Sequence, residues 1–71
     1  SPRFLDEKNG KFKIISFYAK RARGAMASWL ILNRVETPGS IVEFAEMGYR
    51  YAPDRSTSDE PTFVRAEGVS N

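Results

Sequence analysis

The chain has 71 residues, enough for one small domain whose core supplies only about 3–5 kcal/mol of net stability. Its composition, 41% hydrophobic and 28% charged, is typical of a folded chain rather than a disordered one. It contains neither cysteine nor histidine. Disulfides, cysteine-ligated metals, thiol catalysis and histidine acid–base catalysis are therefore excluded, which argues against a self-contained enzyme.

Charge is distributed unevenly along the chain. Residues 1–35 carry eight basic and two acidic side chains, a net charge of +6, whereas residues 36–71 carry three basic and seven acidic ones, a net charge of −4. This asymmetry points to a polyanionic partner for the basic half or to an electrostatic match between the halves. A solvated charged surface without a partner is the simpler interpretation.

The longest apolar run, residues 25–32, is far shorter than the roughly 20 residues that a membrane-spanning helix needs. We therefore expect a cytoplasmic protein with no membrane partner. The chain opens on Ser1-Pro2 without an initiating methionine, and we expect it to be a piece of a longer protein.

Residues 3–16 are predicted to form a β-hairpin around Asn9-Gly10, the pair most typical of a type I′ turn. A two-residue loop sets the register, so Asp6 is expected opposite Lys13, with pairing continuing to residue 15. Opposite charges at facing positions predict a cross-strand ion pair between Asp6 and Lys13.

Residues 17–34 are predicted to form the main helix, with the hydroxyl of Ser16 as its cap. One arc of this helix is apolar and is expected to face the core: Tyr18, Ala22, Ala25, Met26, Trp29, Leu30 and Leu32. The opposite arc is basic but also holds small and apolar residues: Lys20, Arg21, Arg23, Gly24, Ala27, Ser28, Ile31 and Arg34.

A shorter helix is predicted over residues 38–47, with Thr37 as its cap and Gly48 at its end. Strands and a polar loop are predicted within residues 49–66, followed by a frayed tail over residues 67–71. The element order places residues 1–71 in the α+β class as a single unit, with an N-terminal hairpin, one long and one short helix, and one or two further strands.

Cations concentrate between Lys8 and Gly24, where the sequence reads KNGKFKIISFYAKRARG. Phosphate recognition requires cationic groups around one concavity, and glycine permits close approach to the backbone. The residues expected to bind phosphate are Lys11, Lys13, Lys20, Arg21, Arg23 and Gly24. No catalytic residue and no cofactor are predicted. Glu43 and Glu46 are three residues apart and could share a metal ion, but their carboxylates are expected to be solvated, so no metal site is predicted either.

Three runs in this region carry a family resemblance: FLDEKNGK over residues 4–11, KIISFYAK over 13–20 and ARGAMA over 22–27. They closely resemble the C-terminal part of the YaaA family of bacterial peroxide-stress proteins. The similarity continues to Phe63-Val64-Arg65 and covers roughly residues 3–66.

The resemblance implies a cytoplasmic protein that protects cells from hydrogen peroxide and limits oxidative DNA damage by keeping free iron low. It also implies binding of double-stranded DNA through a basic cleft. The chain would be the C-terminal part of a larger α/β protein, in contact with its missing N-terminal portion. The resemblance supplies no catalytic residue in this region.

Two other functions fit the same residues. The cations would clamp phosphate in an enzyme that acts on a nucleotide-like substrate, or they would pair with acidic residues of the missing portion in a purely structural region. Apolar surface left uncovered would also allow the chain to self-associate.

Overall fold

A computed structural model describes residues 2–68. Its elements are strand β1 (Arg3–Lys8), strand β2 (Lys11–Lys13), helix α1 (Ser16–Leu32), a 3-10 helix (Pro38–Glu43), strand β3 (Arg50–Tyr51), a second 3-10 helix (Pro53–Arg55) and strand β4 (Thr62–Arg65). One long helix on a small mixed sheet confirms the predicted α+β class.

The hairpin forms as predicted near its turn and ends earlier than predicted. Asp6 lies opposite Lys13 in the antiparallel β1–β2 pair. Asn9 and Gly10 both have positive φ, 55° and 79°, as a type I′ turn requires. The expected pairing beyond Lys13 is wrong, because the chain leaves the sheet there to begin α1 at residue 16.

The sheet has the strand order β2-β1-β4-β3. Strand β4 lies parallel to β1, which places Phe4 beside Phe63 and Asp6 beside Arg65, and it pairs antiparallel with β3. A parallel pair needs a crossover connection, and here α1 supplies the crossover.

The start of α1 differs from the prediction that Ser16 caps the helix. Ile15 is the cap residue, in an extended conformation, and its carbonyl accepts a hydrogen bond from the amide of Ala19. The side chain of Ile15 makes no capping hydrogen bond to the first turn. Ser16 is already helical, so its hydroxyl is too far along the helix to act as a cap.

The end of α1 comes two residues before the predicted position 34. Arg34 has a left-handed φ of 50° and donates its amide hydrogen to the carbonyl of Ile31, while Val35 donates to the carbonyl of Leu30. This pair of bonds is the Schellman arrangement, which terminates a helix after Leu32 and usually has glycine in the left-handed position.

The second helix is shorter than the predicted span of 38–47 and is a 3-10 helix. Phe44 leaves it with an extended backbone, and its side chain is fully buried. Gly48 does not terminate this helix. Met47 and Gly48 instead occupy a tight turn with positive φ at both positions, closed by a bond from the Tyr49 amide to the Glu46 carbonyl.

The core lies between α1 and the face of the sheet that carries Phe4. Its buried side chains come from every part of the chain: Phe4, Ala19, Ala22, Met26, Phe44, Tyr49 and Phe63. Trp29, expected in the centre of the core, is half-buried and packs edge-on against Phe44. Tyr18 and Leu32 were also expected in the core, but they are 37% and 81% exposed.

The C-terminal segment is anchored as far as Glu67, contrary to the expectation of a frayed tail from residue 67. A carboxylate oxygen of Glu67 accepts the amide hydrogen of Asn9, and the Glu67 amide donates to the carboxylate of Glu7. Residues 69–71 of the predicted tail lie outside the described residues.

Candidate phosphate-binding surface

The five cations predicted to bind phosphate are all exposed. We call Lys11, Lys13, Lys20, Arg21 and Arg23 the basic surface. Two of them lie on the edge strand β2 and three on the N-terminal half of α1.

The two lysines of β2 lie on the face of the sheet against which α1 packs. Side chains alternate along a strand, so Lys11 and Lys13 share one face and Phe12 lies on the other. Lys13 is opposite Asp6, which follows Phe4 by two residues on the core face of β1. Strand and helix therefore contribute cations to one side of the molecule.

The helical cations are spread around α1 rather than gathered in one row. At about 100° per residue, Arg21 and Arg23 project about 160° apart, with Lys20 and Gly24 between them on the outer surface. The guanidinium of Arg21 lies over the ring of Phe17, 5.8 Å from its centroid. Arg23 faces the other flank, where it lines a shallow cavity with Ile14.

The basic surface has no acidic partner among residues 2–68. The ion pairs found there join Arg3 to Glu60 and Arg65 to Asp6. The predicted ion pair between Asp6 and Lys13 is wrong, because the Asp6 carboxylate is buried and turned towards Arg65. Lys13 is consequently left without a counter-charge in this part of the protein.

Gly24 lies in the middle of α1 with open space around it. A methyl group placed at its Cβ position would meet no described atom within 4 Å. The packing of residues 2–68 therefore does not require glycine at this position.

A buried polar network next to the basic surface was missed by the sequence analysis. The Nε and Nη2 atoms of Arg65 both lie 2.6 Å from Oδ2 of Asp6, and the Tyr49 hydroxyl donates to Oδ1. Arg65 also donates to the Met47 carbonyl. The only sequence signal was an aspartate directly after the apolar pair Phe4-Leu5, and nothing in the sequence identified its partners.

The network perturbs one titratable group strongly. Burial, then the hydrogen bond and negative charge of Asp6, raise the pKa of the Tyr49 phenol well above its usual value. Tyr49 therefore stays a neutral donor to the Asp6 carboxylate, and every polar atom of the buried network has a partner.

Within residues 2–68, acidic side chains do not gather in groups of three or more that would hold a metal ion. In the same part of the chain, no helix combines the length and the apolar character needed to cross a bilayer.

Comparison with known proteins identifies relatives of the whole chain. The chain is 63% identical over 69 residues to a UPF0246 protein of Marinomonas sp. (strain MWYL1), an alignment that covers 97% of this chain and 26% of the relative. It is 50% identical over 70 residues to a UPF0246 protein of Tolumonas auensis, covering 99% of this chain and 27% of that relative. The chain thus spans about a quarter of the length of the relatives it matches.

The family model described as peroxide stress protein YaaA matches residues 1–55. These residues include the hairpin, α1 and all five cations of the basic surface. The chain therefore belongs to the YaaA family of peroxide stress proteins.

Proposed function

We propose that the full-length protein acts in the response to peroxide stress and limits oxidative damage to DNA in the cytoplasm, and that the basic surface binds the phosphates of double-stranded DNA. Membership of the peroxide stress family supports the first part of this proposal. The second part rests on the charge and exposure of five side chains.

The observation that carries the DNA proposal is a set of exposed cations without acidic partners among the described residues. Phosphate contacts of lysine and arginine supply most of the sequence-independent affinity for DNA, through release of condensed counterions. Long, flexible side chains on β2 and around α1 suit contacts to several phosphates. Arg3 and Arg65 are already ion-paired, so they would contribute less to the affinity for DNA than the cations of the basic surface do.

The test is DNA binding by a full-length chain, made by placing residues 1–71 in the corresponding position of the Marinomonas relative. We expect Lys20→Glu with Arg23→Glu to weaken binding at least tenfold and to reduce the slope of log affinity against log salt by about 2, roughly one unit per lost phosphate contact. Arg50→Glu with Arg55→Glu is the matched control, because it reverses two charges as well and both residues are exposed outside the basic surface. Equal effects of the two double variants would contradict the proposal.

Gly24 provides a second test, which asks whether DNA approaches the backbone of α1 closely at this residue. Because alanine fits here without a clash, Gly24→Ala should leave the fold intact and stabilise the helix by about 1 kcal/mol. We expect the same change to weaken DNA binding, and Gly24→Leu to abolish it while the helical circular dichroism is retained. Unchanged affinity in both variants would show that nothing approaches the backbone at Gly24.

The alternative function, a phosphate clamp for a nucleotide-like substrate, predicts a different salt response. A small phosphorylated ligand contacts few cations, so its affinity should fall only shallowly with salt. A steep slope with DNA therefore favours the first proposal, and a shallow slope with preferential binding of a mononucleotide favours the alternative.

A further inference from the structure

The outward-facing side chains of α1 change from charged to uncharged at the middle of the helix. The N-terminal half presents the cations of residues 20–23, whereas residues 24–33 include no charged side chain at all. We call the outward-facing side chains of this second half the outer patch: Ala27, Ser28, Ile31 and Leu32. At 100° per residue they surround the direction opposite to the buried Ala22 and Met26.

The outer patch exposes the two least-covered large apolar side chains of the described structure. Ile31 is 77% exposed and Leu32 is 81% exposed. Because Met26 is already buried on the inner face, this half of the helix is apolar on both sides. A helix that is apolar all round is one that is buried on all sides in the complete molecule.

We propose that the outer patch is an intramolecular interface, covered by the part of the full-length protein that lies outside these 71 residues. The matched relatives are about four times as long as the chain, so most of the family's polypeptide is available to cover it. The covering segment is apolar where it meets Ile31 and Leu32, and small side chains at residues 27 and 28 let a helix or strand approach the α1 backbone closely.

The small size of the outer patch indicates that a segment of the same polypeptide covers it, rather than a second copy of the chain. Four side chains along two helical turns cover only a few hundred Å², whereas each partner of a stable complex buries about 800 Å². A segment of the same polypeptide needs no such area, because its tether already holds it at a high effective concentration. DNA is a poor occupant, since Ile31 and Leu32 offer no donor to a phosphate.

Thiol labelling of the full-length chain tests the proposal. The 71-residue segment has no cysteine, so Ile31→Cys and, as the matched control, Lys20→Cys each introduce one reporter into α1. Both are labelled with a maleimide in the folded protein and in urea, and modification of the α1 peptide is followed by mass spectrometry. We expect folding to slow labelling at residue 31 at least about 100-fold and to leave residue 20 nearly as reactive as in urea.

Equal reactivity at the two positions in the folded protein would overturn the proposal. Protection of residue 31 that disappears on dilution would also overturn it, since the occupant would then be a second copy. Hydroxyl-radical footprinting of the unsubstituted full-length chain is the check that needs no cysteine variant. There the fall in oxidation on folding, measured for each residue against its own rate in urea, should be larger for Ile31 and Leu32 than for Phe17, which is 66% exposed in the basic half of the helix.

Discussion

The guanidinium of Arg65 lies between the rings of Tyr18 and Tyr49, 4.8 and 4.7 Å from their centroids, and is paired with the buried carboxylate of Asp6. One residue thus joins the N-terminal end of α1 to two strands and, through the Met47 carbonyl, to the turn before β3. Removing one member of such a pair leaves a buried charge without a partner, and this is far costlier than loss of an exposed ion pair.

The raised pKa of Tyr49 gives the fold a pH dependence on the alkaline side. A group whose folded pKa lies above its unfolded value of about 10 supports the fold below that pH and loses this contribution as the pH rises further. We therefore predict that the free energy of unfolding falls above about pH 10, by up to about 1.4 kcal/mol per pH unit for this one proton.

Urea titrations of the parent chain and of Tyr49→Phe between pH 8 and about pH 11 measure the effect. The variant should be less stable at pH 8, because Asp6 loses a donor, and should show a shallower decline at alkaline pH. Parallel declines in the two proteins would assign the pH dependence to other groups.

At the scale of single elements, the hairpin depends on its turn. Gly10 has a φ of 79°, which a β-branched residue strongly resists, so Gly10→Val should cost at least about 1–2 kcal/mol in thermal or urea denaturation. Gly39→Val is the control, since Gly39 is exposed, has open space around it and does not have positive φ. If both variants lost the same stability, the turn would not be the cause.

The left-handed backbone of Arg34 at the end of α1 lowers the free energy of unfolding. An L-residue in the left-handed region costs about 1–2 kcal/mol, which glycine avoids. Arg34→Gly should therefore stabilise the chain by about 1 kcal/mol in urea denaturation, less the greater chain entropy of unfolded glycine. Arg34→Ala keeps the strained φ and should give no such gain, so stabilisation by both changes would point to the charge instead.

At the scale of the whole molecule, Phe44 links the separate elements. Its ring contacts Trp29 of α1 at 5.6 Å, Phe4 of β1 at 6.1 Å and Phe63 of β4 at 5.8 Å between centroids. Truncation of a buried phenylalanine typically costs about 3–5 kcal/mol, which is comparable to the whole stability of a chain this small.

Phe44→Ala should accordingly unfold most of the chain, with loss of helical circular dichroism and a red shift of Trp29 fluorescence. Val42→Ala in the same segment removes a side chain that is 40% exposed and should cost less than about 1 kcal/mol. A Phe44→Ala variant that stays folded would mean that helix and sheet hold together without this link.

The features that could be predicted from sequence were those set by neighbouring residues. Asn9-Gly10 determined the turn and the register next to it, and the 3.6-residue period predicted both the buried Ala22 and Met26 and the exposed cations of α1. The class of fold and the members of the basic surface followed from these local patterns.

The features that only the tertiary structure decided involve residues far apart in the chain. Asp6 is paired with Arg65, 59 residues away, rather than with its facing neighbour Lys13, because β4 adds to β1 in parallel and brings a second cation to the buried side. Phe44 ends the second helix early because its ring fills the space between α1 and the sheet. Local propensity includes no information about such partners, since the free energy that selects them comes from burial and pairing in the assembled core.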